Sequence, residues 1–112
     1  MGGRQGAHSR VEMSLRVEFL SRADADLQEA FDRFEDYREG FGVEFMMAVD
    51  AYLARIATFP EIAPIYLESV RRQVMRRFPY GIFYVPQPTR ILITAILDLR
   101  QDERDIIRHL RH

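Results

Sequence analysis

The chain has 112 residues, no cysteine and a net charge of −1, which allows one domain with one core and excludes disulfides and thiolate sites. Its 47% hydrophobic and 29% charged residues are the balance of an ordinary globule. No apolar run approaches the roughly 20 residues of a membrane span, so no membrane association and a cytoplasmic location are expected.

The net charge hides a split. From Glu18 to Glu68 twelve acids face four arginines, whereas from Ser69 onward nine arginines face four acids. Such a bipolar chain either meets a charged partner with its basic half or complements itself within the fold. All sixteen basic residues are arginine. The bias extends into the first residues, so it reflects genomic composition more than function.

Residues 1–12 (MGGRQGAHSRVE) are polar and lack a period, and they read as a disordered leader or extension, with Met13 as an alternative start and residues 13–112 as the single domain. Leu15 to Leu20 alternates like a half-buried strand. Ser21 is the expected N-cap of a first helix, with Asp24 at the capping-box position. Leu27, Ala30, Phe31, Phe34 and Tyr37 supply its inner face, and Gly40 is the expected residue just past its end. A second helix runs from about Gly42 to Thr58 with Phe45, Met46, Val49, Tyr52, Leu53 and Ile56 inward, and Phe59-Pro60 stops it. Phe45 and the Met46/Met47 pair read as core.

Turn residues 60–64 precede a strand expected over Ile65 to Val70. The stretch Val70 to Tyr84 (VRRQVMRRFPYGIFY) reads as extended chain, because its Val, Ile and aromatic content favours strand while Pro79 and Gly81 oppose helix. Residues 86–89 are a turn, Arg90 to Leu99 is the clearest strand, and Gln101 to Leu110 is a short helix with Ile106, Ile107 and Leu110 inward. The order gives an α+β domain: an N-terminal strand, an antiparallel helical hairpin packed on a three- to four-stranded mainly antiparallel sheet, and a short C-terminal helix.

Two arginine pairs, Arg71/Arg72 and Arg76/Arg77, precede the aromatic run of Phe78, Tyr80, Phe83 and Tyr84. Strand alternation puts Arg72, Val74 and Arg76 on one face and Arg71, Gln73, Met75 and Arg77 on the other. RNA cleavage needs a base, an acid and positive charge for the phosphorane. Arginines 71, 72, 76, 77 and 100 supply the charge, but arginine is a poor base. Tyr80, Tyr84 and Asp98 are then the candidates for proton transfer, each with an ordinary structural reading beside it. His8, His109 and His112 lie near the termini. The His109/His112 spacing fits a metal only with a third ligand that the sequence does not offer. No nucleophile elbow and no phosphate loop is present, and no cofactor or metal is expected.

Four segments together resemble the RelE/ParE superfamily of type II toxin–antitoxin systems, and its ParE-like branch in particular. They are RVEFLSRADADLQEAFDRF, LARIATFPEIAP, RRFPYGIFYV and RILITAILDLRQDE, and the likeness spans about residues 15–108. The resemblance implies the same α+β fold and a growth-inhibiting toxin, of the kind found in plasmid stabilisation, neutralised by a cognate antitoxin whose tail wraps it. Arg77 and Arg100 match arginines common in the family. Gly81 in place of an arginine after Tyr80, the lack of lysine and the Ile106/Ile107 end all depart from the ribosome-dependent nucleases. The segment Asp98-Leu99-Arg100-Gln101 departs from the His-Gly-Arg-Arg-like run of the ParE branch.

The resemblance therefore implies a toxin that acts by binding a protein, DNA gyrase first among candidates. Arg72, Arg76, Arg77 and Arg100 are the expected contacts to target or antitoxin, and Tyr80 and Tyr84 are expected to frame the site. A RelE-type mRNA interferase and a non-toxic antitoxin-binding relative are the alternatives. Direct nucleic-acid binding stays open, as does the choice between homodimer and toxin–antitoxin hetero-oligomer.

Overall fold

A computed structural model describes residues 14–111; the expected leader, the start at Met13, His8 and His112 lie outside them. The elements are β1 (Arg16–Phe19), α1 (Ser21–Tyr37), α2 (Phe41–Thr58), β2 (Ile65–Leu67), β3 (Val70–Val74), β4 (Tyr80–Pro86), β5 (Arg90–Asp98) and α3 (Glu103–Leu110). The sheet order is β1-β5-β4-β3-β2. β1 lies parallel to β5, and the other pairs are antiparallel. No described helix is long and apolar enough to cross a membrane.

The sheet thus has five strands where three or four were expected. The segment Ile65 to Val70 is not one strand: Glu68 adopts a left-handed backbone with φ 54°, and the chain folds back on itself into β2 and β3. Val70 to Tyr84 is likewise two strands, paired as a hairpin from Arg71↔Tyr84 to Val74↔Gly81.

The α1–α2 hairpin covers one face. Phe45, Val49 and Ile56 of α2 and Ala23 and Ala30 of α1 are buried in one cluster with Ile82 and Tyr84 of β4 and Ile91, Ile93 and Ile96 of β5. On the other face α3 lays Ile106 and Leu110 over Phe83, Ala95 and Leu97. Strict alternation would place Ile91, Ile93, Ala95 and Leu97 on one side. A bulge resolves the conflict: the register shifts so that Phe83 faces Ala95 and Tyr84 faces Ile93, with Thr94 as the extra residue. The buried Thr94 hydroxyl donates to the Phe83 carbonyl at 3.2 Å and fixes the kink.

Two helix ends differ from expectation. Leu20, not Ser21, caps α1: its carbonyl accepts from the N–H groups of Ala23 and Asp24 at 2.9 and 3.0 Å, and no side chain caps that end. The Leu20 N–H donates to the Ile93 carbonyl at 3.0 Å, so pairing with β5 holds Leu20 extended and the helix starts at once. Gly40 is the N-cap of α2, with φ 86°, rather than the residue ending α1. The Glu35 carboxylate accepts from the N–H groups of Gly40 at 2.8 Å and Gly42 at 2.9 Å, so the end of α1 caps the start of α2. Tyr37 and Met47, expected inside, are 79% and 67% exposed. Tyr37 is the last residue of α1, beyond the sheet, and Met47 lies opposite Phe45 on α2.

β1 pairs with β5 only as far as Ile93, which leaves the rest of that edge of β5 without a strand. Side chains of α1 take over. Arg22 Nε donates to the Thr94 carbonyl at 3.1 Å, and the Ile96 N–H donates to Asp26 Oδ2 at 3.1 Å. Both also hold α3, through Arg22 Nη2 to the Leu110 carbonyl at 3.0 Å and His109 Nε2 to Asp26 Oδ2 at 3.2 Å.

Burial raises the Asp26 carboxyl above its usual 3.8, against the opposing pull of the Ile96 N–H and His109; Glu29 adds to the rise. A raised folded-state value means that its stabilising contribution is complete below about 3.8 and is lost as pH rises through the folded value. Asp26→Asn keeps an acceptor for Ile96 and removes that loss. In a His109→Gln background, urea melts should show the Asp26→Asn variant gaining on its parent as pH rises from acid to neutral. Asp26→Ala leaves the Ile96 N–H unpaired and should lower stability by about 1–3 kcal/mol at either pH.

Candidate functional site

β3 stops at Val74, and the Met75 N–H donates to the Tyr80 carbonyl at 2.9 Å, closing a loop over residues 76–79. Phe78 pins that loop. It is 2% exposed, and its ring lies 5.2 Å from Phe34, 5.4 Å from Phe41 and 5.2 Å from Phe45. With Phe78 driven inward, Arg76 and Arg77 stay at the surface. The turn after β5 is drawn to the same loop by the Leu99 N–H, which donates to the Pro79 carbonyl at 2.8 Å.

The result is an open cleft of about 460 Å3. Arg33 and Tyr37 line it from α1, Phe41 from α2, Arg77 and Phe78 from the loop, and Arg100 from beyond β5. The Arg77 guanidinium lies 5.3 Å from the Phe78 ring centre and 5.8 Å from that of Phe41, and pairs with Glu44 in the first turn of α2. Arg38, whose guanidinium sits 4.5 Å over the Phe41 ring, shares that carboxylate at 3.5 Å. Arg100 grips Asp98 as a fork, Nε at 3.0 Å and Nη2 at 2.7 Å. Arg33 stands 4.0 Å from the same carboxylate and donates to the Tyr80 hydroxyl at 3.2 Å.

Four guanidiniums (33, 38, 77 and 100) therefore share two carboxylates, and the mouth of the cleft is cationic. Arg100 holds the Asp98 carboxyl below its usual range, and Arg77 does the same for Glu44.

Of the residues singled out in the sequence, Arg77 and Arg100 meet in the cleft; Tyr80 is buried at 3% exposure and joins them only through its hydroxyl, which accepts from Arg33. Three lie elsewhere. Arg76 faces the other side of the loop, in a groove against α2. Arg72 is on the α3 face of the sheet, its guanidinium 4.6 Å over the Tyr66 ring. Tyr84 frames no surface; it is fully buried, its hydroxyl donating to the Pro60 carbonyl at 2.8 Å and accepting from the Ala63 N–H at 3.4 Å. The expected grouping of Arg72 with Arg76, and of Arg71 with Arg77, fails because alternation ends with β3 at Val74. Arg71 instead donates to the Ala63 carbonyl at 2.7 Å.

Arg33, Tyr37, Arg38 and Glu44 belong to this surface and are not among the residues expected from the sequence to form it. Arg33 and Tyr37 are four apart, hence on one helix face, a basic–aromatic pair within an otherwise acidic stretch. That was the available signal.

The arrangement suits binding of anionic groups better than proton transfer. Burial pushes the phenols of Tyr80 and Tyr84 up, and Arg100 pulls Asp98 down, so all three move away from neutrality. His109 is held on Asp26. Among the described residues no group of three or more His, Cys, Asp or Glu side chains is placed to hold a metal.

No protein-family model and no curated protein matches this chain. Among solved structures, a chain from the chromosomal ParDE TA system from P. aeruginosa superposes with a TM-score of 0.68 at 14% identity, covering 78% of this chain and 98% of that one. The fold is ParE-like. At that identity the likeness is one of architecture, and it agrees with the strand, helical hairpin, sheet and terminal helix described above.

The geometry separates structural from surface residues. Tyr84→Phe should destabilise the fold by about 1–3 kcal/mol, because the buried Ala63 N–H and the half-buried Pro60 carbonyl lose their partner. Arg100→Ala, at an exposed side chain, should shift the unfolding midpoint far less than Tyr84→Phe does. Urea unfolding monitored by circular dichroism checks both.

Proposed function

We propose that this protein is the toxin of a type II toxin–antitoxin pair, arresting growth by binding a protein target and held inactive by a cognate antitoxin. DNA gyrase is the first target to test. The observation that carries this reading is the guanidinium cleft on a ParE-like fold: Arg33, Arg77 and Arg100 converge on one mouth. Its arginines are already fixed by Asp98 and Glu44, so an incoming carboxylate or phosphate meets oriented forks and little side-chain entropy is lost on binding. The raised Tyr80 phenol and the lowered Asp98 and Glu44 carboxyls favour binding over catalysis of RNA cleavage. The exposed Tyr37 ring at the rim adds the aromatic contact typical of interface anchors.

The test is a titration of purified protein into gyrase, plasmid and ATP. Gyrase-dependent linear DNA or lost supercoiling is expected. Arg77→Ala/Arg100→Ala should reduce the effect at least about tenfold, since two charged contacts at a protein interface are removed. An inert protein at micromolar concentration would remove gyrase as the target. Defined cuts in ribosome-bound mRNA, lost on Arg100→Ala, would replace the binding reading with a nuclease.

A further inference from the structure

On its outer side α2 is a ridge between two grooves. One groove, of about 560 Å3, separates it from α1 and is lined by Asp24, Leu27, Phe31 and Met46. The other, of about 280 Å3, separates it from the 76–79 loop and is lined by Ala48, Arg55 and Arg76. The crest carries Val43, Met47, Ala51 and Ala54, all exposed, Val43 at 51% and Met47 at 67%. A surface helix ordinarily turns polar residues that way.

The charges of α2 are sorted by side. Glu44 holds Arg38 and Arg77. Asp50 and Arg55 are exposed and form no ion pair or side-chain hydrogen bond with any described residue. Five residues apart, they stand about 140° from each other round the helix, with Met47, Ala51 and Ala54 in the angle between them. Asp50 is four residues from Met46 and so on the flank of the α1 groove, where Asp24 also lies. Arg55 is on the loop flank with Arg76. One side of the apolar crest is therefore acidic and the other basic.

We propose that this ridge pairs two copies of the chain, the α2 helices lying parallel about a two-fold axis that runs along them. That axis lays the acidic flank of each copy on the basic flank of the other, so that Asp50 meets Arg55 twice. The five-residue offset is the one that joins flanking charges across a parallel coiled coil. Met47 fills the seam, and the small Ala51 and Ala54 let the two helices approach closely. An axis across the ridge would set acid against acid and base against base, which disfavours the antiparallel pair. A partner of uniform charge, whether peptide or nucleic acid, is repelled by one flank, whereas a second copy carries the same split and matches both. From Val43 to Arg55 the seam is about 18 Å long, short for a protein interface, so the dimer is reversible. The assignment uses neither the arginine cleft nor the toxin reading.

Sedimentation velocity of the full chain at about 0.15 M salt, from about 1 μM to about 0.5 mM, follows the association. Wild type should pass from monomer to dimer over that range. Asp50→Arg and Arg55→Asp should each weaken the dimer at least about tenfold, because each brings like charges together twice. Asp50→Arg/Arg55→Asp restores opposite charges and should return to within about threefold of wild type. Met47→Asp should weaken the dimer as much as either single reversal. The chain has no cysteine, so Ala54→Cys reports the orientation: it faces its own copy across the parallel seam and should form an intermolecular disulfide on mild oxidation. Asp105→Cys, exposed on α3 at the other face of the sheet, should not. Thermal melts establish that the variants are folded. A wild type that stays monomeric at the highest concentration overturns the proposal. So does a double reversal no tighter than the single ones, a dimer indifferent to Met47→Asp, or cross-linking of Asp105→Cys equal to that of Ala54→Cys.

Discussion

The architecture depends on an edge that is only half filled. β1 runs parallel to β5 and covers it as far as Ile93; beyond that point β5 would present free backbone groups next to the core. Unpaired buried donors and acceptors are costly, and a bare strand edge invites pairing with other chains. Arg22 and Asp26, four apart on α1 and hence on one face, supply the missing partners to Thr94 and Ile96. Through Leu110 and His109 the same two side chains fasten α3 on the other side. One pair of polar residues therefore joins the hairpin, the sheet and the terminal helix, and the carboxyl is retained there despite the burial that raises it. The bulge at Thr94 belongs to the same stretch, where β5 turns from serving one core to serving both.

A second constraint sets the surface. Pinning Phe78 among Phe34, Phe41 and Phe45 decides which way its neighbours face. Arg77 is turned over the aromatic rings toward Glu44, and Arg76 is turned toward Tyr52 and α2. Two adjacent arginines come to serve two different surfaces because the residue that follows them is buried. Removing the Phe78 ring would cost core packing and would also release the loop that separates those surfaces.

Local patterns made much of this legible. Apolar residues at helical spacing located both long helices, and the β-branched run from Arg90 located β5. What escaped was whatever depends on contacts distant in sequence. The expected single strand from Val70 to Tyr84 is a hairpin, since high β propensity extends across the 76–79 loop and propensity does not register where a tertiary anchor interrupts pairing. The break at Glu68 had no glycine or asparagine to announce it. Ser21 had the right identity for a cap, yet the pairing of Leu20 with Ile93 started the helix one residue earlier. Tyr84 was open to a core or a rim position, and it is core; alternation alone cannot tell which face a helical hairpin will cover.

The same limit applied to the arginines. Charge clustering along the chain correctly marked the second half as basic, but proximity in sequence proved a poor guide to proximity in space. Arg72 and Arg76 went to different surfaces, while Arg33 and Arg38 arrived from the acidic half. The charge split complements itself in part within the fold. Asp98 and Glu44 neutralise part of the cationic surface, and each serves two guanidiniums. A site built this way is oriented before any partner arrives, because each fork is aimed by a carboxylate that an incoming anion need only replace or supplement. The arginine ends of these pairs are exposed, and such pairs contribute little to folding stability, so the carboxylates orient the guanidiniums more than they hold the fold.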